Sequence, residues 1–239
     1  MTPFQAMKYR RSTAGGDPYF AFVSWLLHFD NTLLDSSPQN ATFTASGNAT
    51  VSTTSPIMGT GSLLLDGTTD YISAPDRNAY TFDAVPFTVE WLFRPNGTPT
   101  AYDTIVGQHS SSSNLWKFDM GLGGVRPRFV VVAGGVARAE YTTASALTLT
   151  SGIDYAMAWV RDGSNNIAFY LDGVAQSLTV TTAIGSYAIP DFTASLVIGY
   201  DPINAGRDVN GRLDEMRGTI GAARYTSNYT TAALPFPNF

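Results

Sequence analysis

In the segment GRLDEMRGTIGAARY, Gly211 to Tyr225, two carboxylates stand side by side, Asp214 and Glu215, flanked by Arg212 and Arg217. Glycoside hydrolysis needs two carboxyl groups on either side of one bond, about 5.5 Å apart in retaining enzymes. Neighbours in an extended strand point to opposite faces, so this spacing predicts that Asp214 and Glu215 do not work as such a pair. The only other glutamates are Glu90 and Glu140, and no Glu-x-Asp-x-x-Glu array exists. His28 and His109 have no cysteine partner and no metal-ligand spacing, and they read as structural. A nucleophile elbow and a phosphate-binding loop are both missing from the chain. These residues predict a protein that is not an enzyme.

Binding chemistry is better represented. The stretch YDPINAGRDVNG holds Asp201, Asn204, Asp208 and Asn210 just before the strand with Asp214. Hard cations take several oxygens from Asp, Asn and carbonyl groups, so Asp201, Asn204, Asp208 and Asp214 are candidate calcium ligands. The competing reading is that Asp and Asn are there to form turns. Aromatic residues make up 13% of the chain. Trp25, Trp91 and Trp159 lie in apolar runs and are expected in the core. Tyr102, Trp116, Tyr187 and Tyr200 lie nearer to loops, where their rings are candidates for stacking on sugars, with ordinary packing as the alternative.

The surrounding chain is built for strands. Of 239 residues only 14% are charged, against roughly 25% in ordinary soluble domains. The charge is carried mostly by Asp and Arg, with lysine only at positions 8 and 117; Glu and Lys favour helices whereas Asp favours turns. The net charge of -5 argues against a nucleic-acid partner, which calls for a basic face. With no cysteine there is neither a disulfide framework nor thiolate chemistry. No apolar run approaches the length of a membrane helix. At the start of the chain, Gly15 to Pro18 separate the basic residues Lys8, Arg10 and Arg11 from the apolar run beginning at Phe20, so no export signal is expected. Residues 1–18 lack periodicity and read as an arm, with Lys8, Arg10 and Arg11 as candidate anchoring residues.

From residue 19 the chain reads as short strands of period two separated by turn residues. Phe87, Val89, Trp91 and Phe93 alternate with Thr88, Glu90, Leu92 and Arg94 in the clearest core strand. Further strands are expected at 19–28, 42–45, 49–53, 104–109, 116–120, 128–133, 137–142, 153–161, 167–171, 175–180 and 196–198. Asp66-Gly67 between Leu63–Leu65 and Tyr71–Ile72 predicts a hairpin, as do residues 162–166 between their flanking strands. The polar stretch from Gly211 reads as a late strand at a rim or edge, where its charges are solvated or paired. Many short strands with turns about every 8 to 12 residues predict an all-β, antiparallel two-sheet sandwich over residues 19–239.

Three stretches narrow this. GTGSLLLDGTTDYISAP from Gly59, YAMAWVRDGSNNIAFYLDGV from Tyr155 and GRLDEMR from Gly211 together resemble the concanavalin A-like lectin/glucanase superfamily, in its laminin-G-like and pentraxin-like branch. The tail AARYTSNYTTAALPFP from Ala222 is similar to jelly-roll domains of bacteriophage virion proteins. The resemblance implies a jelly roll whose rim loops bind carbohydrate or protein, often with calcium. It also implies a non-enzymatic virion structural protein: a capsid decoration or head-fibre protein, made in the host cytoplasm without a signal peptide and displayed at the virion surface. Its expected partners are a capsid or other virion protein, further copies of itself, and a host or environmental glycan. The alternative is a carbohydrate-binding adhesion module of a tail fibre or of a secreted protein.

Overall fold

A computed structural model of the chain describes residues 16–99, 102–121, 125–233 and 235–239. The chain forms strands β1 (Val23–Leu27), β2 (Thr44–Ser46), β3 (Thr50–Ser52), β4 (Ser62–Asp66), β5 (Tyr71–Ala74), β6 (Phe87–Pro95), β7 (Thr104–Ser111) and β8 (Asn114–Asp119). It continues with β9 (Arg128–Ala133), β10 (Val136–Thr143), β11 (Tyr155–Arg161), β12 (Ile167–Leu171), β13 (Val174–Gln176), β14 (Leu178–Thr182), β15 (Leu196–Ile198) and β16 (Asn210–Ile220). Two short 3-10 turns, Phe20–Phe22 and Asn78–Tyr80, complete the inventory. The strands assemble into two antiparallel sheets. The first runs β13-β12-β11-β6-β16-β4-β3, with β1 also paired to β16; the second runs β14-β10-β9-β8-β7-β15-β5-β2. The all-β jelly-roll sandwich expected from strand spacing is what forms.

The core is the layer between the sheets, and it is dominated by rings. Phe87, Val89, Trp91 and Phe93 of β6 all face it. Trp25 stacks on Trp116 at 6.4 Å between ring centroids, and Phe82 meets Trp116 edge-on at 4.7 Å. Phe118 and Phe129 stack at 4.8 Å on the second sheet, and Trp159 meets Phe169 at 4.9 Å on the first. Such pairs add packing energy beyond the area they bury. Gly218 of β16 sits against the Trp25 indole, and a Cβ there would overlap the ring. Gly218→Ala is therefore expected to cost about 1–3 kcal/mol through overpacking, seen as a lower urea midpoint at unchanged slope.

The stretch around Asp66-Gly67 is a turn but not a hairpin. β4 pairs with β3 and β16 in the first sheet, whereas β5 pairs with β2 and β15 in the second. Leu63, Leu65 and Ile72 all enter the one core, so the turn carries the chain from one layer to the other. Local turn chemistry reports that the chain reverses; it does not report which sheet receives it. The 162–166 hairpin forms as expected, with Met157 to Arg161 paired against Leu171 to Ile167.

β16 overturns its expected edge position. It lies inside the first sheet, paired with β6 along one side and with β4 and β1 along the other. Its polar residues are tolerated because its outer face is roofed over. Tyr225 and Tyr229 of the C-terminal tail pack on Ala158, Val160 and Tyr170, and the Phe236 ring lies 3.7 Å from the Arg217 guanidinium. Asp17, at the end of the expected arm, is also under this roof: its backbone N–H donates to the Phe239 carbonyl and its carboxylate meets Arg217 and Arg224.

Candidate ligand-binding surfaces

The outer face of the first sheet carries an ion network closed from solvent. Arg217 reaches Glu90 at 2.8 Å and Asp17 at 3.1 Å, Arg224 reaches Asp17 at 2.7 Å, and the Tyr225 hydroxyl donates to Glu90 at 2.7 Å. Burial works to raise the Asp17 pKa, but the Arg224 and Tyr19 hydrogen bonds and the two arginine charges hold it below its usual value. Each buried charge here has a partner, as burial in a low dielectric demands.

Asp214 and Glu215 belong to the same face, which corrects their expected placement on opposite faces. Leu213 and Met216 both enter the core, and β16 shifts register against β6 between Asp214 and Arg217. Glu215 adopts φ 45°. The extra residue of this bulge turns both carboxylates outward. They are nevertheless engaged. Glu215 meets His28 Nδ1 at 2.8 Å and accepts the Phe236 N–H at 2.7 Å. Asp214 accepts from the Ser62 hydroxyl at 2.7 Å and from the Met58 and Glu215 N–H groups at 2.9 and 2.8 Å. The pocket beside Glu215, lined by Glu90, Leu92, Tyr225 and Phe236 among others, has free space of about 20 Å³, room for about one water molecule rather than a sugar ring.

This burial has a pH signature. It raises the Asp214 pKa to about 7; the Glu215 charge adds to the effect, and the Ser62 and Met58 bonds oppose it. In the unfolded chain the carboxyl returns to its ordinary 3.8, so the folded state holds a proton that the unfolded state has lost. Stability therefore falls as pH rises through that window. His28 acts with the same sign: burial lowers its pKa, but Glu215 outweighs this and raises it. Its contribution is complete below the ordinary histidine value and is lost as pH rises through the raised one. Asp214→Asn is expected to lose less stability than the wild type between about pH 5 and about pH 7, as measured by urea unfolding at each pH.

The second sheet presents a different outer face. Since Trp116 and Phe118 enter the core, Lys117 and Asp119 point outward. Lys117 lies 3.1 Å from Asp119 and 2.9 Å from Asp201; Arg128 bridges Asp119 at 2.7 Å and Glu140 at 3.2 Å; Arg207 reaches Asp201 at 3.3 Å. The Tyr102 ring lies 4.7 Å from the Arg128 guanidinium and 4.6 Å from that of Arg207. Burial works to raise the Asp201 pKa, but Lys117 outweighs it and holds the carboxyl well below its usual range. Burial lowers the His109 pKa to about 4, so its ring is neutral at physiological pH.

These contacts decide where each expected site residue stands. Trp116 is fully buried, stacked on Trp25, with its indole N–H donating to Gln108 at 2.9 Å; it is a core residue and presents no face to a sugar. Tyr200 stacks on Tyr71 at 5.2 Å, and Tyr187 lies 5.1 Å from the Arg138 guanidinium. With Tyr102, these remain partly exposed.

The candidate calcium ligands do not converge. Asp201 is bound to Lys117, and Asn204 donates to it. Asp208 is buried near Asp66 and Asp70, with one oxygen lacking a hydrogen-bond partner among the described residues. Asp214 lies on the opposite outer face of the sandwich, bonded to Ser62. No group of three or more His, Cys, Asp or Glu among the described residues is arranged to hold a metal ion. The candidate anchoring residues Lys8, Arg10 and Arg11 lie outside the described residues. No helix among the described residues is long and apolar enough to cross a membrane.

One feature escaped the sequence. A groove is lined by Phe22, Ser24, Gln39, Asn78 and Thr81, which come from the two 3-10 turns, β1 and two loops. Its free space is about 220 Å³. None of these positions belongs to a motif, and only the fold brings them together; the lone signal was Phe22, an aromatic next to a strand start.

Two eight-stranded antiparallel sheets, the first covered on its outer face by the chain's own tail, define a lectin-type jelly roll. The chain belongs to the Concanavalin A-like lectin/glucanases superfamily, whose laminin G model matches residues 66–218. Among curated proteins no significant match was found. Similar solved structures include domain 4 of AbnA, an extracellular arabinanase from Geobacillus stearothermophilus, in complex with arabinotriose, with 18% identity and a TM-score of 0.62. That alignment covers 84% of this chain and 93% of the domain. The binding domain of Paraclostridial Mosquitocidal Protein 1 follows with 12% identity, a TM-score of 0.66 and 87% of this chain covered. For the botulinum neurotoxin serotype D binding domain the values are 12%, 0.63 and 87%. The chain spans half the length of each of these two toxin domains. At these identities the likeness is one of fold.

Proposed function

We propose that this protein is a non-enzymatic carbohydrate-binding jelly roll displayed on the surface of a bacteriophage particle, as a capsid decoration or head-fibre protein. The observation that carries binding over hydrolysis is the state of Asp214 and Glu215. Both carboxylates are tied up by Ser62, Met58, His28 and Phe236 beneath the tail, so neither has room to meet a glycosidic oxygen. Carbohydrate as the ligand class draws support from the superfamily and from the arabinotriose complex of the similar arabinanase domain. The particle context rests on the tail from Ala222, whose sequence resembles phage jelly rolls. A capsid protein as partner and self-association accompany that context.

A glycan array followed by reducing-sugar release on any glycan retained tests both halves. Selective retention without release is expected. Release of reducing sugar would overturn the non-enzymatic reading, and an empty array would overturn carbohydrate as the ligand. The particle context is tested by immunogold labelling of purified virions, where absence of label from the particle would sink it.

A further inference from the structure

We infer that the groove between the two 3-10 turns is the carbohydrate site, and that it takes an uncharged saccharide; this inference rests on the carbohydrate reading above. The groove is open, with about 220 Å³ of free space, against about 20 Å³ in the pocket beside Glu215. Its polar side chains are uncommitted. The amides of Gln39 and Asn78 and the hydroxyls of Ser24 and Thr81 make no hydrogen bond among the described residues. Amide and hydroxyl groups both donate and accept, matching the paired donor and acceptor character of sugar hydroxyls.

An aromatic face completes the arrangement. Phe22 is 48% exposed, an unusual state for a phenyl ring in a chain whose other aromatics mostly fill the core. Its ring rests on Gly221, where any Cβ would press into it, so the backbone supports the ring from below. A supported ring beside polar groups suits the apolar face of a sugar, with its hydroxyls directed to the amides. Among the described residues, no charged side chain lines the groove. The cation that borders it, Arg77, is engaged with the Gln39 carbonyl at 2.8 Å, and the cations of the second sheet's outer face are already paired with Asp119, Asp201 and Glu140.

The test is titration calorimetry of the full chain with arabinotriose and with the neutral and acidic oligosaccharides retained on the array. Phe22→Ala and Gln39→Ala are expected to weaken binding of a neutral oligosaccharide about tenfold or more, with melting temperature held near that of the wild type because both positions are at the surface. Tyr200→Ala, on the other sheet's face, is expected to leave affinity unchanged. Wild-type affinity in both groove variants, with Tyr200→Ala weakened instead, would overturn the groove while leaving the carbohydrate reading intact. Preference for acidic over neutral oligosaccharides would overturn the uncharged class. Binding of none of them by the wild type would overturn the groove and the reading together.

Discussion

Arg217→Ala is expected to destabilise the protein by about 3–5 kcal/mol, the loss typical of removing one partner from a buried charge network. Arg217 is within hydrogen-bonding distance of both Glu90 and Asp17, and its side chain is 5% exposed. Its removal leaves two carboxylates beneath the tail. Glu90 keeps the Tyr225 hydroxyl and Asp17 keeps Arg224, but the charge balance of the network is lost. The Phe236 ring also loses the guanidinium on which it rests. Urea unfolding at neutral pH reads the loss directly. Arg217→Met with Glu90→Leu should recover part of it, since removing both charges abolishes the unpaired carboxylate. A loss below about 1 kcal/mol for Arg217→Ala, the scale of exposed ion pairs, would mean that the tail does not seal this face.

Trp116→Ala is expected to cost about 3–5 kcal/mol, the range for deleting a large buried ring. The indole fills the layer between Trp25 and Phe82 and donates to Gln108, whose own amide is held by Asp76 and the Ala194 carbonyl. Substitution thus opens a cavity and strands a buried acceptor. Trp116→Phe retains ring packing and should lose markedly less. The same pair of variants separates a core residue from a sugar-stacking one: a Trp116→Ala protein of wild-type stability with impaired glycan binding would reverse the assignment made from burial.

Much of the architecture was legible in the chain because strand periodicity is local. The alternation at Phe87 to Phe93, the hairpin at residues 162–166 and the spacing of turns follow from side-chain direction and turn chemistry, which neighbouring residues decide between themselves. The superfamily was legible for a related reason: GSLLLDG, RDGSNN and LDEMR are short segments whose turns and strand ends carry their own signature. The site was far less legible. Trp116 follows a polar SSSSN run that marks a loop, yet its ring points into the core from the third residue of β8.

By itself the sequence determined an antiparallel sandwich, its strand-forming segments, its superfamily and the absence of a spaced carboxylate array. Tertiary structure alone decided that the Asp66-Gly67 turn crosses between sheets, since either sheet can bury Leu63 and Ile72. It decided that β16 is an inner strand, because Asp17 and the tail, both distant in sequence, supply the charges and rings that cover its polar face. It decided the bulge at Glu215, where pairing with β6 and contact with His28 hold a positive φ that the local residues do not require. And it assembled the groove at Phe22, Gln39 and Asn78, which are separated by loops whose course is set by the packing of both sheets rather than by any residue along them.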